Sequence, residues 1–279
     1  MNDKTCVVTG ANSGIGKATA QGLAALGAKV VMVCRDVGRG EAARHEIRAT
    51  TGNDSLDLLL ADLRSQDQVR RLAAEIHERY DRLDVLVNNA GTRFGEWEPT
   101  PDGIESTFGL NHLSVFLLTQ ELESLLKSSA PARVITIGSG THHRATIDFN
   151  DLTHEHDYDE ARAYDQSKLA TVMFTYEQAR RLAGTGVTVN CVDPGAVNTN
   201  IGLSGGPAFQ ERWRGRLASL ITPEEAAATV IHVAWSPDLE TTTGEHFKDS
   251  ELSPSSPGSH DEDFARRLWD VSLELTRER

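Results

Sequence analysis

Short apolar runs rich in β-branched residues alternate with longer amphipathic stretches along most of the chain, and this alternation restricts the fold more than any other feature. Two of the runs, residues 30–33 and 85–87, contain no polar residue. Strands of this kind are typical of a parallel sheet that is covered by helices on both faces, because neither side of the strand can be left in water. The pattern therefore predicts repeated βαβ units and an α/β fold.

Seven strands are predicted in this way, and the last of them lies near His246. The other six cover residues 5–9, 29–33, 56–60, 85–87, 133–137 and 187–192. Apolar residues at three- and four-residue steps predict one long helix over about 160–182 and a second over 104–126. The second helix is apolar on nearly all sides, which predicts contact with the sheet on one side and with a further element or a partner subunit on the other.

Composition excludes several classes of protein. The 279 residues include 28 basic and 41 acidic side chains, and the resulting formal charge of −13 argues against a nucleic-acid partner. The longest strongly apolar run, residues 30–34, is too short to span a bilayer. Cys6, Cys34 and Cys191 lie far apart in apolar stretches, as reduced buried thiols do, and a polar stub opens the chain. These features predict a cytoplasmic protein without a membrane anchor.

A glycine-rich turn, Thr-Gly-Ala-Asn-Ser-Gly-Ile-Gly at residues 9–16, joins the first predicted strand to the first helix. Glycines there let the backbone approach a pyrophosphate, whose charge is met by the amides and the positive dipole end of the helix. Such a turn can also bind nothing, and it is the strand before it and the helix after it that favour a dinucleotide site.

The glycine spacing, TGxxxGxG rather than GxGxxG, resembles that of the classical short-chain dehydrogenase/reductase family, and further motifs extend the resemblance over about residues 4–248. Asp62 and Leu63 resemble the pair that contacts adenine, residues 88–91 resemble the NNAG motif, and residues 193–199 resemble the PGxVxT stretch that holds the nicotinamide. The resemblance implies a doubly wound, seven-stranded Rossmann fold in a single domain, residues 1–279, with the dinucleotide half at about 1–140, the catalytic half at 141–279 and a lid at 198–222. The cofactor-binding residues that it implies are Gly10, Asn12, Ser13, Gly14, Ile15, Gly16, Arg35, Asp62, Leu63, Asn89, Ala90, Gly91, Tyr164, Lys168, Pro194, Gly195, Val197 and Thr199.

Within that family the motif sequences are most similar to those of the retinol-dehydrogenase-like and WW-domain-oxidoreductase-like group. The similarity lies in Cys34-Arg35-Asp36, Asn111-His112-Leu113, His142-His143 and Arg267-Leu268-Trp269. A membrane anchor, which many members of that group carry, is not expected here.

Four residues fall where the family has its catalytic tetrad: Asn111, Ser139, Tyr164 and Lys168. Tyr164 and Lys168 are four residues apart on one predicted helix, so their side chains share a face. The ammonium is expected to favour phenolate and to lower the pKa of Tyr164 from its usual value of about 10, which makes Tyr164 the predicted acid/base. Ser139 is predicted to donate to a substrate carbonyl from a strand end. The resemblance implies that Asn111 kinks its helix and holds a relay water.

Cofactor choice depends on the residues after the second strand. An acid there would bind the ribose hydroxyls of NAD(H), whereas a base would bind the 2′-phosphate of NADP(H). Uncharged Cys34 occupies the acid position of the family and Arg35 the base position, so NADP(H) is predicted, with NAD(H) through Asp36 as the alternative.

Aromatic residues favour a lipophilic small-molecule substrate, a ketone, an aldehyde or an alcohol. Phe94, Trp97, His142 and Trp213 are its predicted contacts. Phe209, Trp213, Leu217 and Leu220 form a stripe at helical spacing in the predicted lid, although such a stripe also occurs in ordinary cores.

The polar residues 154–157 lack further ligands at zinc-like spacing, so no metal is predicted. The gap between Ser139 and Tyr164 is long, and the extra segment 145–159 leaves homodimer and monomer as alternatives. The competing functions are a non-catalytic dinucleotide-sensing or interaction protein on the same fold and a nucleotide-sugar epimerase or dehydratase.

Overall fold

The computed structural model describes residues 1–278, and one eight-stranded sheet runs through them. Its strands are β1 (Thr5–Thr9), β2 (Lys29–Cys34), β3 (Leu56–Leu60), β4 (Val85–Asn88), β5 (Ala132–Ile137), β6 (Val187–Val192), β7 (His246–Lys248) and β8 (Glu251–Leu252). They lie in the order β3-β2-β1-β4-β5-β6-β7-β8, and all neighbours up to β7 are parallel. The seven predicted parallel strands are therefore confirmed. The addition is β8, which pairs antiparallel with β7.

Helices cover both faces of the sheet, as predicted. They are α1 (Gly14–Ala25), α2 (Val37–Thr51), α3 (Gln66–Arg79), α4 (Ser106–Phe108), α5 (Ser114–Glu121), α6 (Glu123–Ser128), α7 (Glu160–Arg181), α8 (Pro207–Arg214), α9 (Pro223–Trp235) and α10 (Glu262–Leu275). Val30 and Met32 of β2 pack into the core under α1, α2 and α9, whereas Val31 and Val33 pack under α3, α5 and α7. Successive side chains of a strand point to opposite faces, so each apolar run supplies both cores. Within residues 1–278, no helix is long and apolar enough to cross a bilayer.

The helix predicted over 104–126 is divided into several segments. A π-helical turn, Gly109–Leu113, separates α4 from α5, and Leu122 separates α5 from α6. The outer face of α5 is covered by the C-terminal helix α10, whose Trp269 lies edge-on to Phe116 with 4.9 Å between ring centroids and stacks on Phe174 of α7. The element beyond the sheet is thus the C-terminal helix of the same chain.

The order of the strands determines where a ligand can bind. Chain connections leave β1 and β4 in opposite directions, and in open α/β sheets ligands bind in the crevice at the carboxyl ends of the strands where the order reverses. The glycine-rich turn follows β1, the NNAG segment follows β4, and Ser139 follows β5. Three of the predicted motifs therefore meet at this one edge.

Candidate active site

A cleft of about 1180 Å³ opens at the carboxyl ends of the central strands. Its wall is formed by most of the residues that the sequence predicts for the site. These are Gly10, Asn12, Ser13, Gly14, Ile15, Gly16, Arg35, Asp62, Leu63, Asn89, Ala90, Gly91, Phe94, Ser139, Tyr164, Lys168, Pro194, Gly195, Val197, Thr199 and Trp213. Three predicted residues, Asn111, Trp97 and His142, lie outside the wall.

The glycine-rich turn is held against the NNAG segment by Thr9. Its carbonyl accepts a hydrogen bond from Asn89 Nδ2 at 2.7 Å, and its hydroxyl accepts from the backbone amides of Asn89 and Ala90, both at 2.9 Å. Gly14 has a φ of +54°, and a Cβ on Gly16 would collide with the carbonyl of Gly10. These glycines are what allow α1 to begin so close to β1.

The N-terminus of α1 remains open to a ligand. Within the described residues, its N-cap Ser13 makes no side-chain capping bond and its first turn carries no acidic residue. The first backbone N–H groups of a helix have no partner inside the helix, and with the helix dipole they attract an anionic group. This end of the cleft therefore has the donors that a pyrophosphate requires.

The two candidates for cofactor choice have different surroundings. Asp36 is the N-cap of α2, and its Oδ1 accepts from the backbone amide of Arg39 at 2.8 Å. Arg35 is exposed on the cleft wall, and Arg39 lies on the same wall. The Asp36 carboxylate already has a structural partner, whereas two guanidinium groups face the cleft. Sequence reasoning missed Arg39, because only the turn into α2 brings it beside Arg35.

Asp62 and Leu63 follow β3 at the same end of the cleft. The Asp62 carboxylate accepts from Arg64 Nη2 at 3.2 Å, and Leu63 is buried. Burial alone would raise the pKa of Asp62, but the hydrogen bonds and the charge of Arg64 outweigh it and lower the pKa. A charged Asp62 with an arginine partner therefore stands beside an apolar wall.

The catalytic residues converge at the other end of the cleft. Tyr164 and Lys168 share a face of α7, with Lys168 Nζ 5.7 Å from the centroid of the tyrosine ring. Nζ donates to the carbonyl of Ile137 at 2.9 Å. Ser139, at the end of β5, lies near Tyr164 on the cleft wall, and its hydroxyl acts to lower the pKa of the tyrosine. A serine and a tyrosine hydroxyl thus lie together beside an ammonium group.

The expected low pKa of Tyr164 is wrong for this structure. Burial dominates and raises its pKa to about 12, while the charge of Arg93 and the nearby Ser139 hydroxyl act in the opposite direction. Burial also lowers the pKa of Lys168 to about 8. The spacing of Tyr164 and Lys168 shows that an ammonium is near, but it does not show that both groups are removed from water.

Asn111 lies behind the cleft, in the π-helical turn. Its Oδ1 accepts from the backbone amide of Thr92 at 2.9 Å, and its Nδ2 donates to the Thr92 carbonyl at 2.9 Å and to Ser167 Oγ at 3.0 Å. The side chain therefore fixes the loop after β4 to α7. Its role in holding a relay water stays a prediction.

His142 and Trp97 have structural partners instead of a place on the cleft wall. His142 is fully buried; its Nδ1 donates to the Ser139 carbonyl at 2.6 Å, and its Nε2 accepts from the Ser256 amide at 3.0 Å. Trp97 Nε1 donates to the carbonyl of Thr153 at 3.0 Å. Both predicted substrate contacts thus lie elsewhere: His142 steadies the end of β5, and Trp97 binds the extra segment 145–159.

The predicted lid consists of a 3-10 turn, Asn200–Leu203, the helix α8 and a second 3-10 turn, Leu217–Ser219. Phe209 and Trp213 of α8 line the cleft, with 5.5 Å between their ring centroids. The helix ends at Arg214, so the predicted stripe does not continue, and Leu217 is exposed. Only its first two residues form an aromatic wall.

The comparisons with known proteins agree with this geometry. Residues 4–205 match the family model described as short chain dehydrogenase. Retinol dehydrogenase 14 of Mus musculus is 44% identical over 98% of this chain and 85% of its own length. A solved protein from Mycobacterium paratuberculosis has a TM-score of 0.80 and 30% identity, covering 99% of this chain and 94% of its own. The Pseudomonas aeruginosa RhlG/NADP active-site complex has a TM-score of 0.72 and 32% identity, covering 89% and 95%. The chain therefore belongs to the short-chain dehydrogenase family, in its retinol-dehydrogenase-like group.

Proposed function

We propose that the protein is an NADP(H)-dependent oxidoreductase that interconverts a lipophilic ketone or aldehyde and its alcohol. The observation that carries the proposal is the meeting of Ser139, Tyr164 and Lys168 at one end of a cleft that begins at the glycine-rich turn. Similarity to a retinol dehydrogenase supports alcohol–carbonyl chemistry, and similarity to an NADP complex supports the cofactor. The first half of the chain would bind the dinucleotide, and the second half the substrate.

The donors on the cleft wall fit a phosphorylated dinucleotide. The open end of α1 would hold the pyrophosphate, Arg35 and Arg39 the 2′-phosphate, and Lys168 the ribose hydroxyls. When bound, NADPH supplies a hydride. Ser139 would donate a hydrogen bond to the substrate carbonyl oxygen, and Tyr164 would deliver the proton to that oxygen. Residues 194–199 would support the nicotinamide side of the cleft.

The direct test is an assay of NADPH oxidation, followed by its absorbance, with retinoid, steroid, aromatic-polyketide and simple carbonyl compounds. We expect turnover of at least one class of lipophilic carbonyl. The proposal would be contradicted if the same preparation binds NADPH but oxidises it with none of these compounds. That result would favour the dinucleotide-sensing alternative.

Cofactor preference is predicted to depend on Arg35. A 2′-phosphate presents several charged acceptors to the guanidinium, and the loss of such bonds costs roughly 1.5–3 kcal/mol. Arg35→Ala should therefore raise KM for NADPH about 10- to 100-fold and leave KM for NADH nearly unchanged. Asp36→Ala is the matched control, because this carboxylate caps α2 and should influence stability more than cofactor choice. Steady-state kinetics that show a preference of the wild type for NADH would overturn the assignment.

The aromatic wall is predicted to set substrate size. Trp213 packs against the backbone of Gly202, so that α8 and the preceding turn are expected to act as one unit over the cleft. We expect Trp213→Ala to raise KM about tenfold for a bulky lipophilic carbonyl and much less for a small one, since about 1–2 kcal/mol of apolar contact is lost. An equal rise for both substrate sizes, together with a lower Tm, would show that Trp213 is ordinary core.

We also propose that the protein is cytoplasmic, which is supported by three buried and unbridged cysteines. Because α10 covers the outer face of α5, a monomer is favoured over a homodimer through that face.

A further inference from the structure

A buried arginine stands between the tyrosine of the site and the predicted lid. Arg93 follows the NNAG segment, lines the cleft and is only 5% exposed. Its guanidinium carbon lies 4.5 Å from the centroid of the Tyr164 ring and 4.1 Å from that of Phe209. Two aromatic faces therefore enclose a cation at the catalytic end of the cleft.

Within residues 1–278, this guanidinium has no ion-pair partner and makes no hydrogen bond, and its Nε is completely buried. The nearest acidic residues are engaged elsewhere. Glu160 Oε2 accepts from the backbone amide of Gly206 at 2.6 Å, and Asp165 is paired with Arg144. An unpaired charge that is largely removed from water is costly, and burial accordingly lowers the pKa of Arg93. Native proteins rarely leave such a group without a partner, so an unsatisfied guanidinium on a cleft wall indicates a ligand.

The shape of the guanidinium limits the class of ligand. Its carbon lies over two aromatic rings, and the N–H donors of a guanidinium lie in its own plane and point from its edge. A planar group with two acceptor oxygens can accept two parallel hydrogen bonds from that edge. A carboxylate has this shape and the opposite charge.

The charge of the cleft agrees with an anionic ligand. The whole chain carries a formal charge of −13, but its cleft wall has nine basic side chains and only three acidic ones. The acidic ones are Asp36, Asp62 and Asp193. Each has a partner within the fold: Asp36 caps α2, Asp62 binds Arg64, and Asp193 Oδ1 accepts from the amide of Gly195 at 3.0 Å. Anions are therefore attracted into the cleft.

We infer that Arg93 binds a carboxylate of the substrate, so that the preferred substrates are keto acids and the corresponding hydroxy acids. This inference rests on the proposed function and narrows its substrate class. Because Arg93 stacks on the very ring that carries the proposed acid/base hydroxyl, the carboxylate must lie only a few bonds from the reacting carbon. Phe209 and Phe94 line the same cleft and would contact an apolar substituent of the substrate.

The test compares a keto acid with its neutral ester. Benzoylformate and methyl benzoylformate share the reacting ketone and the phenyl ring, and only the first carries the charge. Arg93→Met should lower the ratio of kcat/KM for the acid to kcat/KM for the ester about 100-fold, mainly through KM for the acid, because charge-assisted bonds are lost. Arg212→Met, an exposed arginine on the same wall, is the matched control and should change the ratio less than about threefold.

The ratio separates binding from other roles of Arg93. Packing against Phe209, or an influence on the pKa of Tyr164, would lower both kcat/KM values by the same factor, and an unchanged ratio would overturn the inference. A second measurement does not need turnover. Calorimetric titration of benzoylformate into Tyr164→Phe with bound NADPH should show binding about 100-fold weaker once Arg93→Met is added. Equal affinity for benzoylformate with and without Arg93→Met would also overturn the inference. If only the proposed function is wrong, the difference in affinity would remain and the wild type would not oxidise NADPH.

Discussion

Tyr164→Phe is expected to lower kcat by about 10³-fold or more and to leave the Kd for NADPH nearly unchanged. General acid catalysis by a positioned side chain contributes roughly 10²- to 10⁴-fold, and the substitution removes the hydroxyl that would deliver the proton. The phenylalanine keeps the ring on which Arg93 stacks, so the packing of the cleft should be preserved. Single-turnover kinetics and a titration of cofactor fluorescence measure the two quantities separately.

Tyr176→Phe is the matched control for this experiment. Tyr176 lies on the same helix α7 and is also buried, but its hydroxyl bonds to Ser255 Oγ at 2.6 Å, away from the cleft. We expect a loss of about 1 kcal/mol in the free energy of unfolding and a kcat close to that of the wild type. Turnover retained by Tyr164→Phe would remove the acid/base role from this residue.

Lys168→Met should impair chemistry and cofactor binding together. The ammonium lies 5.7 Å from the Tyr164 ring and is proposed to hold the ribose hydroxyls, so one substitution removes both functions. We expect kcat to fall about 10²- to 10³-fold and the Kd for NADPH to rise about tenfold. A lower kcat with an unchanged Kd would contradict the ribose contact.

The same residue predicts the alkaline limb of the pH profile. Burial lowers the pKa of Lys168 to about 8, and the charged form of a lysine is the one present below its pKa. The ammonium is therefore lost as the pH rises through about 8. Because kcat/KM reports the ionisation of the free enzyme, kcat/KM for NADPH should decline over this pH range. This decline should be absent in Lys168→Met.

Much of the fold could be predicted because the burial of a strand or helix shows in the apolar pattern of its own residues. The run at residues 30–33 has to be a doubly covered strand whatever surrounds it, and it is one. By contrast, β8 consists of two exposed residues, Glu251 and Leu252, whose pairing depends on the neighbouring β7. The π-helical turn at Gly109–Leu113 leaves the apolar pattern almost intact, because it changes only local hydrogen bonding, and its one signal is the kink that the family resemblance implies at Asn111.

The residues of the site also divide into those that the local sequence predicts and those that only the fold brings together. Motif residues such as Ser139, Tyr164 and Lys168 could be named because their spacing along the chain carries the chemistry. Arg93 could not, because its importance comes from burial between Tyr164 and Phe209, which are distant in sequence. The pKa of Tyr164 is raised, opposite to the prediction, for a similar reason. Desolvation is a property of the folded environment and not of the spacing of Tyr164 and Lys168.

The central claim, hydride transfer between NADPH and a carbonyl carbon at this site, is tested most directly by isotope transfer. NADPH carrying deuterium at C4, prepared separately for each of its two faces, is incubated with a reducible carbonyl compound, and the alcohol product is analysed by mass spectrometry. We predict one deuterium on the carbinol carbon from one labelled face only, and no labelled product from Tyr164→Phe. Binding of NADPH without deuterium in the product of any carbonyl compound tested would contradict the account.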